Sequence, residues 1–453
     1  MVAALALVVG ACSGSNDAPT TIASPDVGQP AGTTTTVETT TTTDGSGVDV
    51  QDRIGWFLSV LNGEQIDQDE YDSRFSEEFR RQVPFNESFL PLLDQLRGDA
   101  PYEIVERSGE GAAGEVVVTS ASAERFRIVA ELTDDGRFAG LLIQPADGPS
   151  LENPPASIAD AFDRLGDMGT LRAITAEVAE GSCVAIEHVE ATSPAPIGSI
   201  FKLYVLAAIG DAVSDGTLEW NDEMVIHERL KSVPTGVLQD RPDGDRVSVL
   251  EAAELMISIS DNTATDHLID LLGREVVEET IEEYGNTTAE LNTPLLTTRE
   301  LTALKVGVAS GLRGQWLEAD DEERRGILDQ ISDITPDDLP IRDWTNPVDP
   351  HLVEWFATPA DLCTLAVRLM ELAERVPEID SILSINPGVP ASAPWDLLWF
   401  KGGAEPGLVA TWFVTRAEGR TFVTAGSVVN PDQAIDNQEA ILLLAAIRDL
   451  TTP

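Results

Sequence analysis

Two strand-like runs near the C-terminus constrain this chain more than any other feature. Leu408 to Thr415 and Thr421 to Val429 are dense in β-branched and aromatic residues and are separated by Ala417-Glu418-Gly419, so they read as a hairpin. A lone hairpin is marginal in water and needs further strands or a helical layer. The matching run in the same region, Ser182 to Glu190, lies on the far side of a long helix-rich middle. The first and last parts of the region 156–453 are therefore expected to meet in one sheet, with helices packed on it and the periodic stretch Ile435 to Leu450 as a terminal helix. The expected fold class is mixed α/β (α+β), an antiparallel sheet with a helical domain.

A smaller α+β unit is expected over residues 50–146. Ile54, Phe57, Leu58 and Leu61 recur at helical spacing, and a second helical stretch runs from Tyr71 to Phe79. Strands follow at Glu115 to Ser120, Arg125 to Leu132 and Phe138 to Gln144, with Asp134-Asp135-Gly136 as a turn and Phe126, Ile128, Ala130 and Leu132 on one face. Helices followed by a curved antiparallel sheet resemble the cone-like folds of steroid isomerases and small cyclases. No Asp base with facing Tyr or His acids stands out there, so a docking or structural role is expected. Residues 147–155, with Gly148, Pro149, Pro154 and Pro155, have the composition of a linker.

Upstream, residues 1–12 form a short apolar run ending Val9-Gly10-Ala11-Cys12, which looks like the end of a bacterial lipoprotein signal with Cys12 as the lipidation site. Met1-Val2 carries no positive charge, so the start of such a signal is expected upstream. Residues 13–49 are rich in Thr, Pro, Ser and Gly and have almost nothing to bury, as in a flexible tether. The expectation is an exported monomer anchored by lipid at the outer face of the bacterial cytoplasmic membrane.

Charge and cysteine content remove whole classes of function. The 453 residues carry 29 Lys+Arg against 78 Asp+Glu, a net charge of −49, so the molecule repels phosphate backbones and no nucleic-acid partner is expected. Four histidines without ligand spacing and three cysteines without a Cys-x-x-Cys pair point away from a metal centre, and no cofactor is expected. Cys183 and Cys363 can pair in an oxidising compartment or stand as buried thiols, the latter being slightly favoured.

Three short segments carry chemistry. Gly198-Ser199-Ile200-Phe201-Lys202 opens a helix-forming stretch, Leu203 to Ala212, placing a hydroxyl at a helix start and an amine one turn on. Serine is a poor nucleophile at neutral pH, and a lysine held neutral by burial can take its proton. Ser260-Asp261-Asn262 lies between two helical runs, and Trp399-Phe400-Lys401-Gly402-Gly403 reads as a strand end breaking into glycines. Each segment alone is commonplace as a helix cap or a turn; the ordered triple is specific.

Ser-x-x-Lys, Ser-Asp-Asn and Lys-Gly-Gly in this order resemble the motifs of class A serine β-lactamases and penicillin-binding proteins. A nearer likeness, spanning both units, is to the two-domain β-lactamase-like proteins of clavulanate-cluster type, through Asn292-Thr293-Pro294-Leu295-Leu296-Thr297-Thr298-Arg299-Glu300 and the stretch Trp399 to Gly407. The resemblance implies Ser199 as nucleophile, Lys202 as base and Ser260 as proton donor to the departing nitrogen. It also implies an oxyanion hole from the Ser199 and Ala404 N–H groups, Asn262 as a contact to substrate or to Lys202, and Lys401 with Gly402 and Gly403 as the carboxylate site. The implied small-molecule partner is a β-lactam or related amide or ester.

Two departures qualify that implication. If Leu291-Asn292 match the family's loop, Thr288 stands where the deacylating glutamate belongs, and Glu290 is out of register. Gly402 replaces a threonine or serine hydroxyl that helps hold carboxylate. The open alternatives are a D-Ala-D-Ala carboxypeptidase, an esterase, or a protein that captures β-lactams without turnover. Trp344, Trp355 and Trp395, near an insertion-like stretch, are expected in the core or at a cleft rim.

Overall fold

The Asp49 carboxylate accepts the Gln51 N–H at 2.8 Å and starts helix α1 (Val50–Leu61), whose buried face is Val50, Ile54, Phe57, Leu58, Val60 and Leu61. The computed structural model describes residues 49–451 apart from 123, 134, 147–149 and 390–394. The signal segment, Cys12 and the tether lie outside the described residues, as does Asp134 of the expected turn. The chain divides into two units between Gly148 and Pro149.

In the first unit, α2 (Gln68–Arg74), α3 (Glu77–Gln82) and α4 (Leu90–Arg97) precede a four-stranded antiparallel meander of β1 (Glu103–Glu110), β2 (Ala113–Thr119), β3 (Arg125–Leu132) and β4 (Phe138–Pro145). The helix expected over Tyr71 to Phe79 is broken. Phe75 bridges to Phe138, Ser76 N–H bonds to the Phe138 carbonyl at 2.9 Å, and the Ser76 hydroxyl caps α3 by accepting the Phe79 N–H. Sheet pairing thus outcompetes helix continuity. Strand β1 escaped the sequence reading because Glu103, Glu106, Arg107 and Glu110 leave it little apolar alternation. It is an edge strand, where charge is tolerated.

The second unit is built on a five-stranded antiparallel sheet. Its strands are β5 (Thr170–Ala179), β6 (Ser182–Val189), β11 (Leu397–Glu405), β12 (Leu408–Ala417) and β13 (Arg420–Val429), in the order β11-β12-β13-β5-β6. The hairpin expected at the C-terminal end therefore joins the early strands through β13 and β5. Strand β5, central and missed in the sequence, carries apolar residues on both faces. Leu171 and Ala173 pack against α5 (Ile158–Met168) and α15 (Asn437–Leu450), while Ile174 and Ala176 join the opposite core. The opposite layer comprises α6 (Lys202–Ser214), α7 (Val249–Ser258), α8 (Asn262–Leu272), α9 (Arg274–Glu283), α10 (Thr298–Lys305), α11 (Arg313–Glu318), α12 (Asp321–Gln330), α13 (Pro359–Ala373) and α14 (Glu378–Ser384). Short pairs, β7 (Ala195–Pro196) with β10 (Phe356–Ala357) and β8 (Glu223–Val225) with β9 (Arg246–Ser248), pin its loops.

Cys183 on β6 and Cys363 on α13 form a disulfide, with Cα atoms 6.3 Å apart. The slight preference for free buried thiols is thereby corrected. The sheet edge and the helix lie side by side, which a 180-residue sequence separation conceals.

Candidate active site

Ser199 sits in a single 3₁₀ turn, Gly198–Phe201, that leads into α6. Nearly every residue around it is buried, including Ile200, Phe201, Leu203, Tyr204 and Lys202, whereas Ser199 itself is only half-buried. The turn is fixed from both sides. Phe201 stacks on Trp355 at 3.8 Å and 9°, a contact of about 0.5–1.5 kcal/mol beyond its buried area. Ile197 N–H bonds to the Trp355 carbonyl at 2.9 Å, and Gly198 N–H bonds to a Glu354 carboxylate oxygen at 3.2 Å. Trp355 is thus a core residue of the site's support rather than a rim residue.

The three motif segments converge. Lys202 Nζ donates to the Ser260 carbonyl at 2.6 Å, to Ser260 Oγ at 3.1 Å and to Asn262 Oδ1 at 2.6 Å. Lys401 Nζ donates to the same Ser260 Oγ at 3.0 Å and to the Gly402 carbonyl at 2.9 Å. Ser260 Oγ therefore lies between two buried amines. Ser199 Oγ makes no hydrogen bond among the described residues, and Lys202, one turn on, does not donate to it. Lys202 is turned toward Ser260 and Asn262 instead.

Ser260 holds a left-handed backbone, φ 59°, a conformation that costs a non-glycine residue roughly 1–3 kcal/mol. Two donors secure it, because its carbonyl accepts both Lys202 Nζ and Thr235 Oγ1, the latter at 2.7 Å. Asp261 is fully buried. Its carboxylate accepts the N–H groups of Val237, Leu238 and Ala264 at 2.7, 3.0 and 2.8 Å, capping α8 and binding the 233–238 loop to it. Asn262 donates through Nδ2 to the Val233 carbonyl at 3.0 Å, which aims Oδ1 at Lys202.

Burial governs the charges here. Desolvation lowers the Lys202 pKa to about 7 against the smaller opposing pull of Asp266 and Asp261. Lys401 is held well below its ordinary value by desolvation and then by Lys202. Neither amine makes an ion pair among the described residues. A buried cation without a counter-ion gives up its proton, and an incoming carboxylate would restore the charge on Lys401.

The third motif differs from its sequence reading. Strand β11 runs through Gly402 and Gly403, paired to Thr411 and Ala410, so the glycines do not mark a strand end. A methyl on Gly402 would meet the Phe400 ring at 3.0 Å. One on Gly403 would lie 2.5 Å from the Ile197 carbonyl oxygen and 2.6 Å from the Ser199 nitrogen. The β11 backbone at Gly403 therefore packs directly on the 197–199 backbone, and a methyl on Gly198 would in turn meet Gly403 Cα at 3.2 Å and the Ala404 nitrogen at 3.4 Å.

Next to that backbone contact lies a cluster the sequence did not reveal. Lys305 is ion-paired to Glu405 and lies 3.6 Å from Glu354, all three being buried. Burial raises both carboxyls, Glu405 to about 8, against the lowering effect of Lys305. The available signal was a charge inside an apolar run, as in Val353-Glu354-Trp355-Phe356.

The loop expected to supply a deacylating carboxylate has other bonds. Thr288 N–H and Oγ1 both donate to Asn286 Oδ1 at 2.9 and 3.0 Å, Asn292 pairs with the Phe356 backbone, and Glu290 is exposed. Among the described residues no carboxylate hydrogen-bonds to Ser199 or Lys202.

Residues 175–335 match the model of the Beta-lactamase enzyme family, and residues 48–138 match that of the ORF 12 gene product N-terminal domain. Over residues 175–335 the second unit is thus similar to the Beta-lactamase enzyme family. Among solved structures, the chain is similar to a β-lactamase from Sphaerobacter thermophilus DSM 20745, with 21% identity over 65% of this chain and 95% of that one and a TM-score of 0.47. It is also similar to PBP-A, with 18% identity over 66% and 97% and a TM-score of 0.44. For a β-lactamase from Xanthomonas campestris pv. campestris the values are 16%, 65%, 97% and 0.44. No curated protein matches the chain.

Proposed function

We propose that the second unit is a serine acyl-transfer hydrolase that forms an acyl-enzyme at Ser199 on β-lactams or related esters. The observation that carries this reading is Ser260 Oγ, bonded at 3.1 and 3.0 Å to two buried lysines of lowered pKa beside the nucleophile's turn. A neutral Lys202 has two N–H groups for Asn262 Oδ1 and the Ser260 carbonyl, and a lone pair left for a hydroxyl proton. Ser199 Oγ attacks the carbonyl carbon as its proton passes to Lys202, and the oxyanion takes the Ser199 and Ala404 N–H groups. The carbon–nitrogen bond then breaks, and Ser260 hands a proton to the nitrogen and is reprotonated from the lysines. Lys401 binds a substrate carboxylate.

Slow deacylation is the second reading, favoured by Thr288 being bonded to Asn286 and by Glu290 making no hydrogen bond to Ser199 or Lys202 among the described residues. Intact-mass measurement after mixing with penicillin G or nitrocefin tests both. Rapid return to the free mass means turnover, and a persistent adduct means capture. An unmodified serine under β-lactams alongside cleavage of short esters or D-Ala-D-Ala peptides assigns the site to those acyl donors, and no reaction with any of them overturns the proposal.

The Cys183–Cys363 disulfide supports export to an oxidising compartment, consistent with Cys12 as a lipid anchor. Loss of labelled-palmitate incorporation on Cys12→Ala tests the anchor. Incorporation that survives the substitution contradicts it.

A further inference from the structure

A second cavity, of about 410 Å³, opens in the catalytic unit, and none of Ser199, Lys202, Ser260, Asn262 or Lys401 lines it. Its size falls within the range of roughly 300–1,000 Å³ typical of small-molecule sites. Two arginines face it. Arg172, on β5, has its Nε buried without a hydrogen-bond partner, and among the described residues it makes no ion pair. Arg324, on α12, gives Nε to the Trp316 carbonyl at 3.2 Å and Nη1 to the Thr293 carbonyl at 3.5 Å and lies over the Trp316 ring at 5.1 Å, and among the described residues it has no carboxylate partner. In a chain with 78 acidic residues, two guanidiniums without a carboxylate line one cavity, and one of them, Arg172, keeps a buried donor unsatisfied.

The remaining walls narrow the ligand. Trp316 and Trp355 supply aromatic surface, and at the mouth Leu291 and Leu352 are exposed by 44% and 48% beside the exposed His351. The carboxylates present do not neutralise the arginines. Glu354 is committed to Lys305, Gly198 N–H and Trp355 N–H, and Glu290 is exposed. A bare inorganic anion would leave the apolar wall and rim uncovered, and a neutral apolar ligand would leave Arg172 Nε unpaired.

We infer that this cavity is a binding site for a small organic acid with an apolar body, an aryl- or alkyl-carboxylate, its carboxylate on Arg172 and Arg324 and its apolar part between the tryptophans and the leucine rim. The inference is independent of the reaction assigned to Ser199.

Calorimetric titration of the full chain with 3-phenylpropanoate, with 3-phenylpropan-1-ol as the uncharged counterpart, tests it. One equivalent of the acid should bind, at least tenfold more tightly than the alcohol, since the charged hydrogen bonds are lost with the alcohol. Because Lys401 is a competing cation, Lys401→Met should leave this binding unchanged, whereas Arg172→Gln should weaken it at least tenfold. Leu352→Asp, at a position 48% exposed, should do the same and keeps the test valid if the arginine variant fails to fold. Absence of binding at millimolar acid, equal affinity for the alcohol, or binding lost in Lys401→Met but kept in Arg172→Gln or Leu352→Asp overturns the inference.

Discussion

Gly403 lies so close to Ser199 that a methyl on its Cα would stand 2.6 Å from the Ser199 nitrogen. The sheet edge and the Gly198–Phe201 turn are therefore in backbone contact, with no side chain between. Gly403→Ala must push Ala404 N–H and Ser199 N–H apart. Loss of one such donor costs about 10²–10³ in rate, so acylation should fall by at least 10²-fold. Gly402→Ala, which meets only the Phe400 ring at 3.0 Å, should change it less than tenfold. Time-resolved intact mass gives both rates, and equal effects of the two variants contradict the close-contact account.

Acylation should depend on pH through Lys202. The base must be unprotonated, and its pKa is lowered to about 7, so with an uncharged ester the rate should rise between pH 6 and 8 and level off above. Lys401 loses its proton as pH rises, so carboxylated substrates should show a rising KM that the neutral ester does not share. A flat acylation profile with the ester excludes Lys202 as base.

The pair Lys305–Glu405 makes a prediction about stability. The Glu405 carboxyl is raised in the fold to about 8 from an ordinary 4.5, so the unfolded chain holds fewer protons between those values. Its stabilising contribution is complete below about pH 4.5 and is lost as pH rises through about 8. Glu405→Gln keeps the shape but cannot ionise, and should flatten the decline in unfolding free energy from pH 5 to 8. Urea titrations across that range check this. A variant with the wild-type slope shows that Glu405 does not titrate there.

The disulfide joins β6 to α13 across 180 residues of sequence. Replacing Cys183 and Cys363 together by serine should cost about 2–5 kcal/mol. Thermal unfolding with and without reductant checks it: wild type should lose stability on reduction and the double variant should not. Equal responses contradict the prediction.

What the sequence disclosed depends on how local each signal is. The meeting of Lys202, Ser260, Asn262 and Lys401 is legible in the order of three short segments, each carrying a reactive residue type. The β12–β13 hairpin was legible because its apolar runs are long and its turn is marked by Gly419. Strand β5 was not, since buried on both faces it shows no alternation, and Glu177 and Arg172 interrupt its apolar character. Lys305, Glu354 and Glu405 are far apart in the chain, and only folding makes them a cluster. The contact of Gly403 with Ser199 was equally hidden, because a glycine in a motif does not say what its missing side chain makes room for. Helix spacing places Lys202 one turn on from Ser199 but does not say what its amine bonds to. The competing acceptors, the Ser260 carbonyl and Asn262 Oδ1, come from a distant turn.

The most direct test is to locate the covalent adduct. After brief exposure of the full chain to penicillin G or, in parallel, an activated ester, digestion and peptide mass mapping should find one acyl group per chain on the peptide containing Ser199. It should be missing in Ser199→Ala and formed far more slowly in Lys202→Ala. An adduct on another residue, or none with either reagent, contradicts the account.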